Sequence, residues 1–409
     1  MVHDRRRAAG QGAVSPGRRR GRREVSAQRS RSPARAALGI RSGHRDAAGQ
    51  RAVDLIASAP GKVFVIGEYG VVDGGPALVA TVTRRLYARV RARRGSGELI
   101  LRCGDATARR PLAAERVDDV PPGLRFVAAA ALVGARAFGL ADTDLEVSTE
   151  SELDPGATKT GLGGSAAVTA ATVSAIQRIA LGATPDPADE RRQVAAAVFA
   201  HRLAQGGGSA ADVIASSAGG LVWLDGLDGS DVPESVSAAV ARTHGADLAW
   251  SRVELPPGLS LEVVASGRSC ATGPRIARYR AAACGPSGAA VRAWRAGMRA
   301  AAECFRDGCR AGDGTLLLLA MGTAARLLSR LGAITSVPVY TPELRRACAV
   351  AEDLPATAAK PSGAGGGDCA VALTRQQQRV TLRERWQSAG LYPLALELEP
   401  RGAACEVLA

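Results

Sequence analysis

Hydrophobic positions divide the chain sharply near residue 53. Before that point Arg, Gly, Ser, Ala and Gln follow one another with no apolar face, and such a segment cannot bury enough surface to offset the entropy of ordering it. Residues 1–52 read as a disordered basic tail, and folding is expected to begin at Val53 or Asp54. A start codon assigned too far upstream is the plainest origin of the tail; a transit peptide and a nucleic-acid-binding arm are the alternatives. Beyond it, Leu55 to Ala59 and Lys62 to Ile66 are strand-like runs, and Pro60-Gly61 breaks the chain between them into a tight turn. Leu78 to Val90 is a third such run, followed by Arg94-Gly95-Ser96-Gly97, a turn suited to a hairpin.

Helical patterning takes over further along. Ser165 to Leu181 is small and aliphatic throughout, with Gly182 placed as a C-terminal cap, which predicts a buried helix entered through a glycine-rich loop. A second helix is expected from Pro187 to Gln205, capped by Asp186 with Asp189 and Glu190 in its first turn. A third runs from Ser209 to Ala218, where Ser209-x-x-Asp212 has the form of a capping box. Past the Asp/Gly/Ser-rich stretch at 225–236, strand-like runs (Leu261–Ala265, Cys369–Leu373) alternate with helices at about 287–308 and 313–332. That stretch is taken as the boundary between an N-terminal domain, 53–230, and a C-terminal domain, 231–409. Pattern alone gives an α+β protein of two domains.

Composition adds limits. A length of 409 residues suits two domains, and 46% apolar content is ample for a large core. The richest apolar stretch, Phe126 to Ala141, is broken by Arg136, so no membrane span is expected. Eight scattered cysteines show neither a C-x-x-C pair nor zinc spacing and read as reduced, mostly buried thiols. With no apolar leader segment, the expected location is cytoplasmic. The net charge of +14 is concentrated in residues 1–50, where thirteen arginines face three acids, leaving only +4 for the rest. Nucleic-acid binding is therefore expected only weakly, through the tail.

The lysines change the picture. The chain contains 50 Arg but only three Lys, and each lysine lies beside a glycine-rich segment: Pro60-Gly61-Lys62, Lys159-Thr160-Gly161-Leu162-Gly163-Gly164-Ser165, and Lys360-Pro361-Ser362-Gly363-Ala364-Gly365-Gly366-Gly367-Asp368. Such placement favours sites that need a compact ammonium rather than a planar guanidinium. In the middle segment, glycines allow close backbone approach and the following helix offers unpaired N–H groups, together a cradle for polyphosphate. The spacing is neither that of a Walker A loop nor that of a dinucleotide fingerprint.

These three ordered segments resemble the motifs of the GHMP kinase superfamily: Pro60–Tyr69, Gly161–Ala167 and Ser362–Asp368. Tyr69 after Gly67-Glu68, Lys159-Thr160 ahead of the loop, and Ala200-His201-Arg202-Leu203-Ala204-Gln205-Gly206 leading into Ser209–Val213 look like its phosphomevalonate branch. One departure is Gly164, where the family generally has a serine.

The resemblance implies a two-domain GHMP kinase fold: an N-terminal domain like ribosomal protein S5 domain 2 and a ferredoxin-like C-terminal domain. It also implies ATP and Mg²⁺ as cofactors and phosphomevalonate as acceptor. The loop residues Gly161, Leu162, Gly163, Gly164, Ser165 and Ala166 would hold the triphosphate, with Ser165 toward the metal. Lys62 would neutralise the transferring phosphoryl group beside Asp212. Tyr69, Lys159, Ser209, Lys360, Ser362, Gly363 and Gly365 would bind the acceptor. His201 reads as a packed helix histidine and Arg275, Arg278 and Arg280, which follow the Gly267–Gly273 loop, as solvated helix charges, with contact to the substrate as the alternative for each. Mevalonate kinase is the rival activity, and an inactive ligand sensor on the same fold is the rival of another class.

Overall fold

The computed structural model describes residues 52–154, 159–227 and 229–407, so the expected tail falls outside the described residues except for Ala52. Strand β1 spans Val53–Ile66, fourteen residues without a turn. Pro60-Gly61 does not break it as expected. Proline has no N–H for the ladder, and the irregularity is absorbed as a register shift against strand β2 (Ala77–Arg94), where the partner jumps from Arg85 to Val82. Two β2 residues, Thr83 and Arg84, are left over there, and the exposed Thr83 donates its N–H to the carbonyl of Glu397 at 3.1 Å.

The hairpin expected at Arg94–Gly97 does not form either. Strands β3 (Glu98–Cys103) and β4 (Ala106–Pro111) pair with each other, but β5 (Thr143–Ser151) lies between β2 and β3, antiparallel to one and parallel to the other. Asp144 of β5 fixes the turn by accepting the N–H groups of Ser96, Gly97 and Glu98 on a single oxygen. Strands β6 (Leu221–Leu224) and β7 (Trp250–Val253) extend the start of β2.

Four helices pack against or beside this sheet: α1 (Arg125–Ala137), α2 (Gly164–Leu181), α3 (Pro187–Gln205) and α4 (Ala211–Ala218). The small residues of α2 allow close packing, and Gly182 caps it in the left-handed region as its position predicts. Helix α3 has the full reciprocal capping box between Asp186 and Asp189.

Helix α5 (Val236–Thr243) precedes the second sheet, built from β8 (Leu259–Ala265), β9 (Ala358–Pro361), β10 (Cys369–Arg375) and β11 (Tyr392–Leu394) in the order β11-β8-β10-β9, all antiparallel. Four helices connect β8 to β9: α6 (Thr272–Cys284), α7 (Gly288–Ala311), α8 (Gly314–Thr335) and α9 (Pro342–Glu352). Helix α10 (Arg379–Ser388) connects β10 to β11. A β-α-β-β-α-β order with that strand arrangement is ferredoxin-like. Helix α8 is long and apolar enough to cross a membrane. Its Leu317, Met321, Leu328 and Leu331 are instead buried in the core, and Arg326 and Arg330 are exposed.

The expected boundary at 230/231 does not separate the sheets. Strand β7 and the last strand, β12 (Ala404–Val407), lie beyond it in sequence yet pair with β6 and β1 of the first sheet, covering backbone that would otherwise be an open edge. One hydrophobic cluster also runs through both halves, with Val65, Tyr69, Tyr279, Trp294 and Val371 as members. All eight cysteines are unpaired, and only Cys348 and Cys369 are buried, fewer than expected.

Candidate active site

The loop between β5 and α2 is tied down at its start. Thr160 donates its N–H to Asp154 at 2.6 Å and its hydroxyl to the carbonyl of Leu153 at 2.8 Å. Leu162 buries its side chain and accepts the backbone N–H of Lys62 at 2.8 Å, so it takes part through its backbone alone. Gly163 caps α2 with φ 83°, a conformation that strains any residue with a Cβ, and the Lys62 side chain lies directly over it. The N–H groups of Gly164, Ser165 and Ala166 open the helix without intrahelical acceptors. At Gly164 an added Cβ would meet nothing within 4 Å, so the missing serine answers no steric demand among the described residues.

Lys62 sits at this loop with its ammonium 3.3 Å from the carbonyl of Gly161. Ser165 faces α3, where the His201 Nε2 lies 3.4 Å from its hydroxyl. His201 is fully buried against the Phe126 ring, with centroids 5.0 Å apart. Burial holds its imidazole below the usual histidine range; the Asp212 carboxylate works the other way, and the Lys62 and Arg202 charges lower it further. His201 is thus the packed histidine expected from the sequence, and its Nε2 faces Ser165.

The capping box read at Ser209-x-x-Asp212 is absent. Ala210 takes the cap position with φ 57°, and Ser209 accepts only the N–H of Ala211, at 3.4 Å. Asp212 is the second helical residue of α4 and spends one oxygen on the next backbone N–H, at 3.0 Å. No ion pair joins it to Lys62 among the described residues, although the resemblance sets the two side by side.

The third glycine-rich segment corrects several expectations. Lys360 is not available to an acceptor: it is fully buried, ion-paired to Glu68 and bonded to the carbonyl of Pro361 at 3.1 Å. Ser362 is also committed, its hydroxyl accepting the N–H of Phe64 at 2.8 Å and donating to the Phe64 carbonyl at 3.2 Å. Tyr69, 3% exposed, donates to the carbonyl of Ala364 at 2.7 Å, and burial raises its pKa above the usual tyrosine range. These three bolt the first motif to the third instead of reaching into a cleft. Gly365 is likewise packed, since a Cβ there would stand 2.3 Å from the Val339 carbonyl, whereas Gly363 is open. Lys159 is exposed and makes no hydrogen bond or ion pair among the described residues.

Two residues missed in the sequence complete the arrangement. Asp368 closes the third glycine run with φ 57° and sits against Gly161, where an added Cβ would stand 2.4 Å from its own. Burial raises its carboxyl pKa, and the Lys62 and Arg275 charges oppose that rise. Glu68, the partner of Lys360, is the other. Each ends or follows a glycine in a motif already noticed, which was the available signal. A cavity of about 710 Å³, lined by residues including Asp73, Gly206, Arg280 and Arg295, holds none of Lys62, Ser165 or Asp212.

Comparison with known proteins bears on this arrangement. Models for the GHMP kinases N terminal domain and the GHMP kinases C terminal match residues 125–220 and 305–391. A Streptomyces phosphomevalonate kinase is 31% identical over 389 residues, covering 85% of this chain and 97% of its own length. The chain belongs to the GHMP kinase family. Another GHMP relative, a mevalonate kinase from Aeropyrum pernix, is 29% identical over 324 residues, covering 78% of this chain and 88% of that one. The solved Streptococcus pneumoniae phosphomevalonate kinase, in complex with phosphomevalonate and AMPPNP, shares the GHMP kinase fold at a TM-score of 0.66 and 20% identity, over 85% of this chain and 99% of that one.

Proposed function

We propose that this GHMP kinase transfers the γ-phosphoryl group of ATP to the phosphate of phosphomevalonate. The observation that carries the reading is that Lys62 bonds the Gly161 carbonyl and lies over Gly163, at the loop where Ser165 opens α2 against His201. Its support for this acceptor is the relative of near-full coverage, a phosphomevalonate kinase.

In this reading the loop N–H groups receive the triphosphate, and Lys62 neutralises charge on the phosphoryl group in flight. An acceptor phosphate oxygen attacks the γ-phosphorus. The bond to the β,γ-bridging oxygen breaks, and ADP leaves. A phosphate monoester is mostly dianionic at neutral pH and needs no strong base, so Asp212 is not required as one. Ser165 and Asp212 offer a hydroxyl and a carboxylate, the oxygen ligands that would hold Mg²⁺. When bound, it shares the neutralisation of the phosphates.

The test is ADP release with mevalonate, phosphomevalonate, galactose and homoserine as acceptors. Turnover with phosphomevalonate is expected. Turnover confined to mevalonate, which the Aeropyrum relative would favour, rejects this acceptor, and no turnover favours a ligand sensor.

A further inference from the structure

We infer that Arg275 is an oxyanion anchor for the acceptor, gripping the charged end that lies away from the reacting oxygen. The inference rests on the proposed kinase reading and supplies what the burial of Lys360 removed. An acceptor with two anionic ends needs a cation beyond Lys62, and with Lys360 spent on Glu68 the candidates are Lys159 and Arg275.

Arg275 lies in the first turns of α6, where sequence reasoning makes it a solvated charge. The structure places its guanidinium against the third glycine loop: a Cβ on Gly366 would stand 1.9 Å from Nη2. Its bonds there are few. Nη1 donates to Ala271 at 3.0 Å, Nη2 reaches the Gly366 carbonyl only at 3.4 Å, and Nε is buried with no partner. No carboxylate forms an ion pair with it among the described residues. A buried donor without an acceptor is costly, and a planar fork with open N–H groups is suited to bidentate binding of a carboxylate or phosphate.

Its position fits that role. The Asp368 carboxyl feels both the Lys62 and the Arg275 charge, and Tyr69 feels Arg275 as well. Asp368 in turn touches Gly161 of the phosphate loop. Lys62, Asp368 and Arg275 therefore form a series from the triphosphate loop to α6, and an acceptor whose reacting group lies at Lys62 would extend its other end along it.

Steady-state kinetics and thermal melts of the full chain with Arg275→Met and Arg275→Lys test this. A charge-assisted hydrogen bond contributes about 1.5–3 kcal/mol, so Arg275→Met should raise the acceptor KM about tenfold or more. The KM for ATP and the Tm should hold, and Arg275→Lys should recover part of the loss. An unchanged acceptor KM overturns the inference, and so does a joint rise of both KM values with a lower Tm, which would mark a residue that merely holds the loop. If the wild type ignores phosphomevalonate, the acceptor assignment fails by itself. Arg275 is then judged by the same criteria on whichever panel compound is phosphorylated, or by the calorimetric Kd for phosphomevalonate if none is. A wild type that neither phosphorylates nor binds any of them contradicts both.

Discussion

Lys62 holds a single carbonyl, that of Gly161, whereas Lys360 is sealed against the Glu68 carboxylate with no exposed surface. Removing one member of a buried pair strands the other, at about 3–5 kcal/mol, while removing a partly exposed cation from a phosphate site costs transition-state stabilisation instead. Lys360→Met should therefore lower the Tm markedly, and adding Glu68→Leu should restore much of it, because an apolar pair of similar volume is tolerated. Lys62→Met should leave the Tm almost unmoved and lower kcat by about a hundredfold or more. Melts and steady-state rates on the three variants read this directly. Similar melts for the two single variants would contradict the division of labour. The three lysines were conspicuous in the sequence because arginine is so dominant, but their roles were not, since whether an ammonium meets a carboxylate depends on residues 292 positions away.

At the scale of single elements, α2 and α3 were legible because their signals are local. Asp186 reaches an N–H three residues on, and Gly182 ends α2 through its own backbone. The capping box at Ser209 failed because the preceding glycine run leads the chain in differently and puts Ala210 in the left-handed region. His201 of α3 meets Ser165 of α2, and its burial makes a pH prediction. Its folded pKa lies below the unfolded value of about 6.5, so the unfolded chain binds the extra proton and stability falls as pH drops through and below that value. His201→Phe keeps the contact with Phe126 but loses the nitrogen facing Ser165. It should shed this acid-side slope in denaturant titrations from pH 7.5 to about 5. It should also raise the KM for ATP more than that for the acceptor. A slope that survives the substitution would assign the acid sensitivity elsewhere.

Across the whole molecule, topology was the least legible part. The hydrophobic runs marked most strands but could not show that β5 lies between β2 and β3, or that β12 returns to β1, because pairing partners are set by long-range packing. The C-terminal return is well fastened. Buried Arg85 donates to the carbonyls of Arg401 and Gly402, and Thr81 donates to that of Glu399. The same long-range stitching brings the first and third motifs together, through Tyr69 to Ala364 and Phe64 to Ser362, and so sets Lys62 beside Asp368 and the phosphate loop. Delivery of a phosphoryl group to a phosphate oxygen depends on that assembled site. Phosphorus NMR of the product formed from ATP and phosphomevalonate tests it most directly. A pair of mutually coupled resonances from a new phosphoanhydride, growing in step with ADP, is the predicted result. An unchanged monoester resonance, or a second uncoupled one from transfer to a carbon-bound hydroxyl, would contradict it.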